Sequence, residues 1–271
     1  MRRVGRLYLS VLSLELRNLM AYRVDFWIRM ALAVMAQLTV AFFLWDAIFT
    51  TQKADSIGGY SFFAMILYYF IAALVRQAVS GLEIGYMSRD IYEGRLTKYL
   101  VYPVSFFGYK CVAYGAYTII FMVQLLIGLG VIYAAFGFPA DVHINGVSLG
   151  LGVAACFFAA YLRFVIGACI EMVSFWIDNT WTLMLMFVFT TTFLGGGLLP
   201  LALFPGWAQE LLFFLPFPYL IHFPVTAFMG EVTFFDFLQA AAITVAWSIV
   251  FTMLARVIWN RGTREYAGVG I

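Results

Sequence analysis

A chain of 271 residues that is 64% hydrophobic, 19% aromatic and only 11% charged cannot wet its own surface, because a soluble domain carries about 25% charged residues. These proportions exclude a water-soluble globule and put most of the outside against lipid. A net charge of +2 gives no footing for a nucleic-acid partner, and three cysteines (Cys111, Cys156, Cys169), each inside an apolar stretch, fit neither a disulfide framework nor a metal site.

Residues 1–29 open with Met1-Arg2-Arg3, yet Arg17, Arg23, Asp25 and Arg29 interrupt what would be the apolar region of a cleaved signal peptide. Leu7, Val11, Leu14 and Leu19, with Leu12 and Leu16, form an apolar side, and Glu15, Arg17 and Arg23 occupy the remainder. The pattern predicts a helix lying in the cytoplasmic interface and leading into a membrane span.

Crossing about 30 Å of hydrocarbon as a helix takes about 20 apolar residues. Runs of that kind occupy residues 30–49, 61–82, 111–136, 147–176, 181–199 and 234–259. The sixteen basic residues test the count of six. Arg2, Arg3, Arg6, Arg17, Arg23 and Arg29 precede the first run; Arg89, Arg95, Lys98 and Lys110 lie between the second and third; Arg256, Arg261 and Arg264 follow near the C-terminus. Arg76 and Arg163 fall within runs, which leaves Lys53 alone in the alternate loops. Basic residues concentrate in cytoplasmic loops, so six crossings with both termini inside are expected.

The stretch 195–225 is apolar enough for a seventh span but begins with Gly195-Gly196-Gly197 and holds five of the seven prolines (Pro200, Pro205, Pro216, Pro218 and Pro224). Proline removes a backbone donor and clashes with the preceding turn. A broken, re-entrant element in the outer leaflet is therefore expected, with Trp207, Tyr219 and His222 near the interface; an ordinary apolar outer loop is the other reading. Lacking any repeat or long linker, the chain reads as one membrane domain over 1–271.

Enzymatic motifs are scarce. His143 and His222 both fall outside by this topology, and no H-E-x-x-H, G-x-S-x-G or clustered Cys/His spacing occurs. There is no G-x-x-x-x-G-K-[ST] either, so an ATP-driven process would need a partner to supply the nucleotide site. Four ionisable residues lie in or near the spans: Arg76, Glu83, Arg163 and Glu171. A charge at the bilayer centre costs about 2.5–3.5 kcal/mol on the insertion scale, so each should face protein or water. Ion pairs such as Arg76 with Glu171 or Arg163 with Glu83 are one expectation, and handling of a substrate is the other.

The basic loop 86–105 reads as a short helix. Ile91, Tyr92, Leu96, Tyr99 and Leu100 share one face, Arg89, Asp90, Glu93, Arg95, Thr97 and Lys98 populate the other, and Pro103 stops it. Such a helix either docks into a groove of a partner or rests on the headgroups. Gly94-Arg95-Leu96 through Leu100 to Pro103-Val104-Ser105, together with Tyr22-Arg23-Val24-Asp25, Gly58-Gly59-Tyr60, Tyr68-Tyr69, Leu199-Pro200 and Leu215-Pro216-Phe217, run along essentially the whole chain. In this order they resemble permease subunits of type-2 ABC exporters, a six-span group.

The resemblance implies an all-α integral membrane fold with an N-terminal elbow helix at 1–29, a coupling segment at 86–105 and a re-entrant outer segment at 195–225. It implies docking of Arg89, Asp90, Ile91, Tyr92, Glu93, Arg95, Leu96 and Lys98 on an ATP-binding cassette subunit. No cofactor would be bound by this chain; ATP and Mg would sit on that partner. A second permease, identical or a sister, would complete the pathway in the cell membrane of a prokaryote. The scarcity of polar groups in the fifth run, with 29 Phe, 16 Tyr and 7 Trp overall, suggests an amphipathic or lipid-like cargo. The other classes weighed are an ion-gradient-driven transporter using the four intramembrane charges, an intramembrane transferase, and a structural membrane anchor.

Overall fold

The computed structural model describes residues 2–21, 23–81 and 85–266. Tyr22 and Glu83 lie outside the described residues, as do the side chains of Arg23, Asp25, Lys98 and Leu100. The described residues are helical and turn segments, in the order α1 (Arg2–Ala21), α2 (Arg23–Gln52), α3 (Phe62–Ser80), α4 (Ser88–Tyr92), α5 (Leu96–Val101), α6 (Phe106–Phe136), α7 (Gly146–Glu171), α8 (Trp181–Leu194), α9 (Gly206–Phe214), α10 (His222–Met229) and α11 (Phe234–Glu265). Five segments are long and apolar enough to cross a membrane: Ala31–Gln52 of α2, α3, α6, α7 with its 3-10 extension to Phe175, and α11.

The fifth sequence run, 181–199, behaves differently. Its helix ends at Leu194 after 14 residues, about 21 Å at 1.5 Å per residue, where Gly195 to Gly197 turn the chain back. The helix starts are fixed by local chemistry. Ser61, Ser105, Asn145 and Thr233 each accept a hydrogen bond from a backbone N–H of the first turn, and Asn145 and Thr233 form full capping boxes with Ser148 and Asp236. Such caps are worth about 1 kcal/mol each.

Burial separates the helices. In α3 72% of the apolar window is buried and in α7 56%, against 22% in α2, α6 and α11. Helix α7 packs on α11, α10, α3 and α6, while α3 also packs on α2. The outer helices turn Val40, Phe43, Val131, Phe189 and Met253 outward, all exposed; a continuous apolar exterior of this kind is compatible with hydrocarbon rather than water.

Helix α1 lies along α6. Its inner face is Tyr8, Val11, Leu12, Glu15, Leu16 and Leu19, whereas Leu7 and Leu14 are exposed. The sequence reading put Glu15 on the polar side. Instead Glu15 accepts a hydrogen bond of 2.9 Å from the Tyr109 hydroxyl, and Tyr8 lies 3.3 Å from the Ser105 hydroxyl, so two polar contacts shift the packed face by a fraction of a turn.

The proline-broken stretch is a pair of short helices, α9 and α10, with 3-10 turns at Leu201–Leu203 and Pro218–Leu220. Two of its carbonyls are satisfied by tyrosines of α3: Tyr68 donates to Gly196 O at 2.8 Å and Tyr69 to Leu198 O at 2.8 Å. Of the three residues expected near the interface, Trp207 is exposed, but Tyr219 is buried and donates to Phe213 O at 2.6 Å, and His222 Nδ1 packs 3.2 Å from the Tyr68 hydroxyl. Gly196 has φ +84°, and a Cβ there would stand 2.9 Å from Tyr68 Oη. Gly196→Ala should therefore lower stability by about 1–2 kcal/mol, and Tyr68→Phe by a similar amount through the unpaired carbonyl; the midpoint of thermal unfolding in detergent measures both.

Candidate functional site

The basic loop between α3 and α6 is two helices, not one. Helices α4 and α5 meet at Glu93-Gly94-Arg95, with Gly94 at φ +75°. Across the break Ile91, Leu96 and Tyr99 keep the shared apolar side expected of a continuous helix, whereas Tyr92 and Asp90 change sides. Asp90, Ile91, Leu96 and Tyr99 are buried, while Arg89, Tyr92, Glu93, Arg95 and Thr97 are exposed. Glu93 and Arg95 form an ion pair on the exposed side. Ile91 and Leu96, read from the sequence as docking residues, are only 2% and 0% exposed; they hold the loop to its own body. Asp90 was assigned to the polar face and is buried as well.

Two buried charges fasten this loop. Lys110, on the second turn of α6, is 0% exposed. Its Nζ donates to Asp90 Oδ2 at 2.6 Å and to Tyr86 O at 3.1 Å, and stands 3.4 Å from the centroid of the Tyr86 ring. Tyr99 and Phe106 complete the aromatic wall, each with its centroid 5.4 Å from Nζ. Burial, then the Asp90 carboxylate, lifts the Tyr99 hydroxyl well above its ordinary range, so it stays a neutral donor. The second charge is Glu171, at the end of α7. It accepts backbone N–H bonds from Gly85 at 3.1 Å, Met87 at 2.6 Å and Ser88 at 3.3 Å. One carboxylate therefore satisfies the donors that open α4, a negative charge at a helix start.

Glu171 is consequently not the partner of Arg76, as the sequence had suggested. Arg76 donates from Nη2 to Gln37 Oε1 of α2 at 2.8 Å, and Arg163 lays its guanidinium on the Phe187 ring, Cζ 5.1 Å from the centroid. The three do share a space. A cavity of about 350 Å³ opens between α3, α6, α7 and α8, bounded by Arg76, Gln77, Arg163 and Glu171 with Tyr114, Phe121, Phe164, Met184 and Phe187. The Tyr114 hydroxyl donates to Val79 O at its edge. The structure thus brings Arg76, Arg163 and Glu171 together and holds Arg89, Asp90, Ile91, Tyr92, Glu93, Arg95 and Leu96 on a separate platform beside them.

Lys110 is the residue that sequence reasoning missed. An apolar run that begins at Cys111 leaves it among the loop charges. The Ser105 cap, three residues before Gly108, moves the helix start back to Phe106 and places Lys110 inside it.

At the opposite end, Tyr60 donates to Glu231 Oε2 at 2.9 Å, and the backbone N–H of Ser61 donates to Asp141 Oδ2 at 3.1 Å. Burial raises the Glu231 carboxyl, against the lowering effect of the Tyr60 hydrogen bond. Among the described residues no group of three or more His, Cys, Asp and Glu is placed to hold a metal, and Cys111, Cys156 and Cys169 are free thiols.

Five long apolar helices, with α3 and α7 the most buried among them, define a multi-pass helical membrane protein. The family model described as ABC-2 family transporter protein matches residues 35–270, and the chain belongs to that family. It is accordingly a membrane component of ABC-type transport rather than a catalytic subunit. No curated protein matches the chain.

Proposed function

We propose that this chain is the permease subunit of an ATP-driven exporter of a prokaryotic cell membrane, one domain over 1–271 that pairs with a second permease, identical or a sister. ATP and Mg sit on separate ATP-binding cassette subunits. Counting α8 as a crossing completed by the re-entrant segment gives six spans with both termini in the cytoplasm, the arrangement that keeps thirteen of the basic residues inside. In this reading α1 is the elbow helix.

The observation that carries the proposal is the two-sided loop. Its outer side presents Arg89, Tyr92, Glu93 and Arg95, a charged strip with one aromatic at its centre. Its inner side is locked by Lys110 to α6 and by Glu171 to α7. A push on the strip therefore reaches two membrane helices directly, which is what a transmission element between an ATPase and a pathway requires.

The test is co-purification in mild detergent, with mass spectrometry and an ATPase assay. A stoichiometric ATP-binding subunit should accompany the tagged chain. Arg89→Glu with Glu93→Arg should weaken its retention by about tenfold or more, leaving the membrane domain monodisperse. Full retention and unchanged ATP-coupled transport in that variant would remove the docking role. A chain that purifies alone, without ATPase activity, would return the gradient-driven reading.

A further inference from the structure

We propose that the cavity between α3, α6, α7 and α8 is a binding site for an anionic amphiphile, a phosphate or carboxylate headgroup carried on an apolar chain, with Arg76 and Arg163 as its charge partners. As a cargo site it rests on the permease reading; as a binding site it stands on the geometry alone.

Charge is the first ground. Arg76 and Arg163 approach the cavity from different helices and lie within electrostatic reach of one another. Arg76 spends one donor on a neutral amide, Gln37, and Arg163 rests on a ring face, Phe187; among the described residues neither meets a carboxylate. The one described acid on the lining, Glu171, has its oxygens taken by three backbone N–H groups. Among the described residues the lining sets two guanidinium groups against one carboxylate already committed to backbone donors, and this excess of positive charge in a low-dielectric site favours an incoming anion. A guanidinium offers five donors in a planar fork suited to phosphate or carboxylate.

Unpaired polar atoms are the second ground. Gln77 Oε1, on the same lining, is buried and has no hydrogen-bond partner among the described residues, and the same holds for Thr191 Oγ1. Thr191 borders a small adjoining space that Arg76 and Arg163 also line. Native proteins rarely leave such atoms unsatisfied, and a headgroup hydroxyl beside the charge could donate to Gln77 Oε1 while an anionic or ester oxygen accepts from Thr191 Oγ1.

The third ground is the remaining wall. Phe121, Phe164, Met184, Phe187 and Val188 are apolar, and α8 turns Leu185, Met186 and Phe189 outward. A free inorganic anion gains nothing from such a wall, whereas an alkyl chain does. At about 350 Å³ the space is at the lower end of small-molecule sites and takes a headgroup with the first part of a chain. Arg76 stands about one turn from the Ser80 end of α3. The headgroup is therefore held near the loop side of the membrane, where an amphiphile of that leaflet would enter.

The experiment is equilibrium binding to the full chain in nanodiscs of zwitterionic phosphatidylcholine, with radiolabelled tetradecyl phosphate as the probe. Unlabelled tetradecyl phosphate, tetradecanol, tetradecyltrimethylammonium and inorganic phosphate are the competitors. Saturable binding is expected, displaced by tetradecyl phosphate and not by the alcohol or the cation, with inorganic phosphate weaker by about a hundredfold or more. Arg76→Gln and Arg163→Gln should each weaken binding by about tenfold, whereas Arg261→Gln, at the exposed end of α11, should leave it unchanged. Equal displacement by tetradecanol or by the cation overturns the proposal. Displacement by inorganic phosphate as potent as by the amphiphile makes it a free-anion site and overturns the amphiphile assignment. Wild-type affinity in monodisperse Arg76→Gln/Arg163→Gln overturns the assignment to these arginines. If that variant does not stay monodisperse, the competitor series on the unaltered chain decides alone. No ATPase enters the assay, so loss of the permease reading and loss of this site are told apart.

Discussion

Lys110→Met, with Asp90 left in place, is expected to destabilise the protein by about 3–5 kcal/mol, the cost of stranding one charge of a buried pair. Lys110 is 0% exposed and Asp90 6%, so water cannot readily re-solvate the orphaned carboxylate. The double variant Lys110→Met/Asp90→Leu should recover most of the loss, because removing both charges removes the desolvation cost along with the attraction. Thermal unfolding in detergent reads the difference, with the single variant lower by roughly 10 °C. A single variant as stable as the wild type would mean that the pair is hydrated and does not fasten α4 to α6. The recovered double variant also separates stability from coupling: if the pair transmits motion, ATP hydrolysis and transport dissociate in it while the fold survives.

Glu171→Ala is the second large expectation. Three backbone donors, from Gly85, Met87 and Ser88, lose their acceptor at once. Burying each without a partner costs about 1–3 kcal/mol, but the loop can partly relax toward solvent, so a net loss of about 3 kcal/mol is expected. The signature is local. Amide exchange should accelerate through 85–92 and leave the α7 and α11 cores protected, and Glu171→Gln, which keeps an acceptor oxygen, should fall between. Uniform acceleration across the domain would instead mark Glu171 as a general packing residue.

The legible part of this protein was the placement of its long apolar runs. The long apolar runs mark α2, α3, α6, α7 and α11, although α2 begins seven residues before its run and α11 ends six after, because a lipid-facing helix must be apolar along the length that meets hydrocarbon. Less legible was every feature that depended on a local break. The turn at Gly94 splits the basic loop, and within it Tyr92 turns outward and Asp90 inward, against the faces the pattern gave them. The turn at Gly195 to Gly197 shortens the fifth run to Trp181–Leu194. Arg76, Arg163 and Glu171 were recognised individually as costly residues, yet their partners (Gln37, the Phe187 ring, three amides) are groups without formal charge that no search for opposite charges would find.

Helix α3 carries Tyr68 and Tyr69, which hold the glycine turn and the stretch after it, and Arg76, seven residues beyond Tyr69 and about 11 Å further along the axis. A rod so enclosed by neighbours cannot bend midway without opening voids, so its two ends share a single degree of freedom. A tilt large enough to lengthen the tyrosine latches by an ångström displaces the guanidinium at the other end by a comparable amount. Release of the glycine turn and re-aiming of the Arg76 guanidinium are then two readings of one lever.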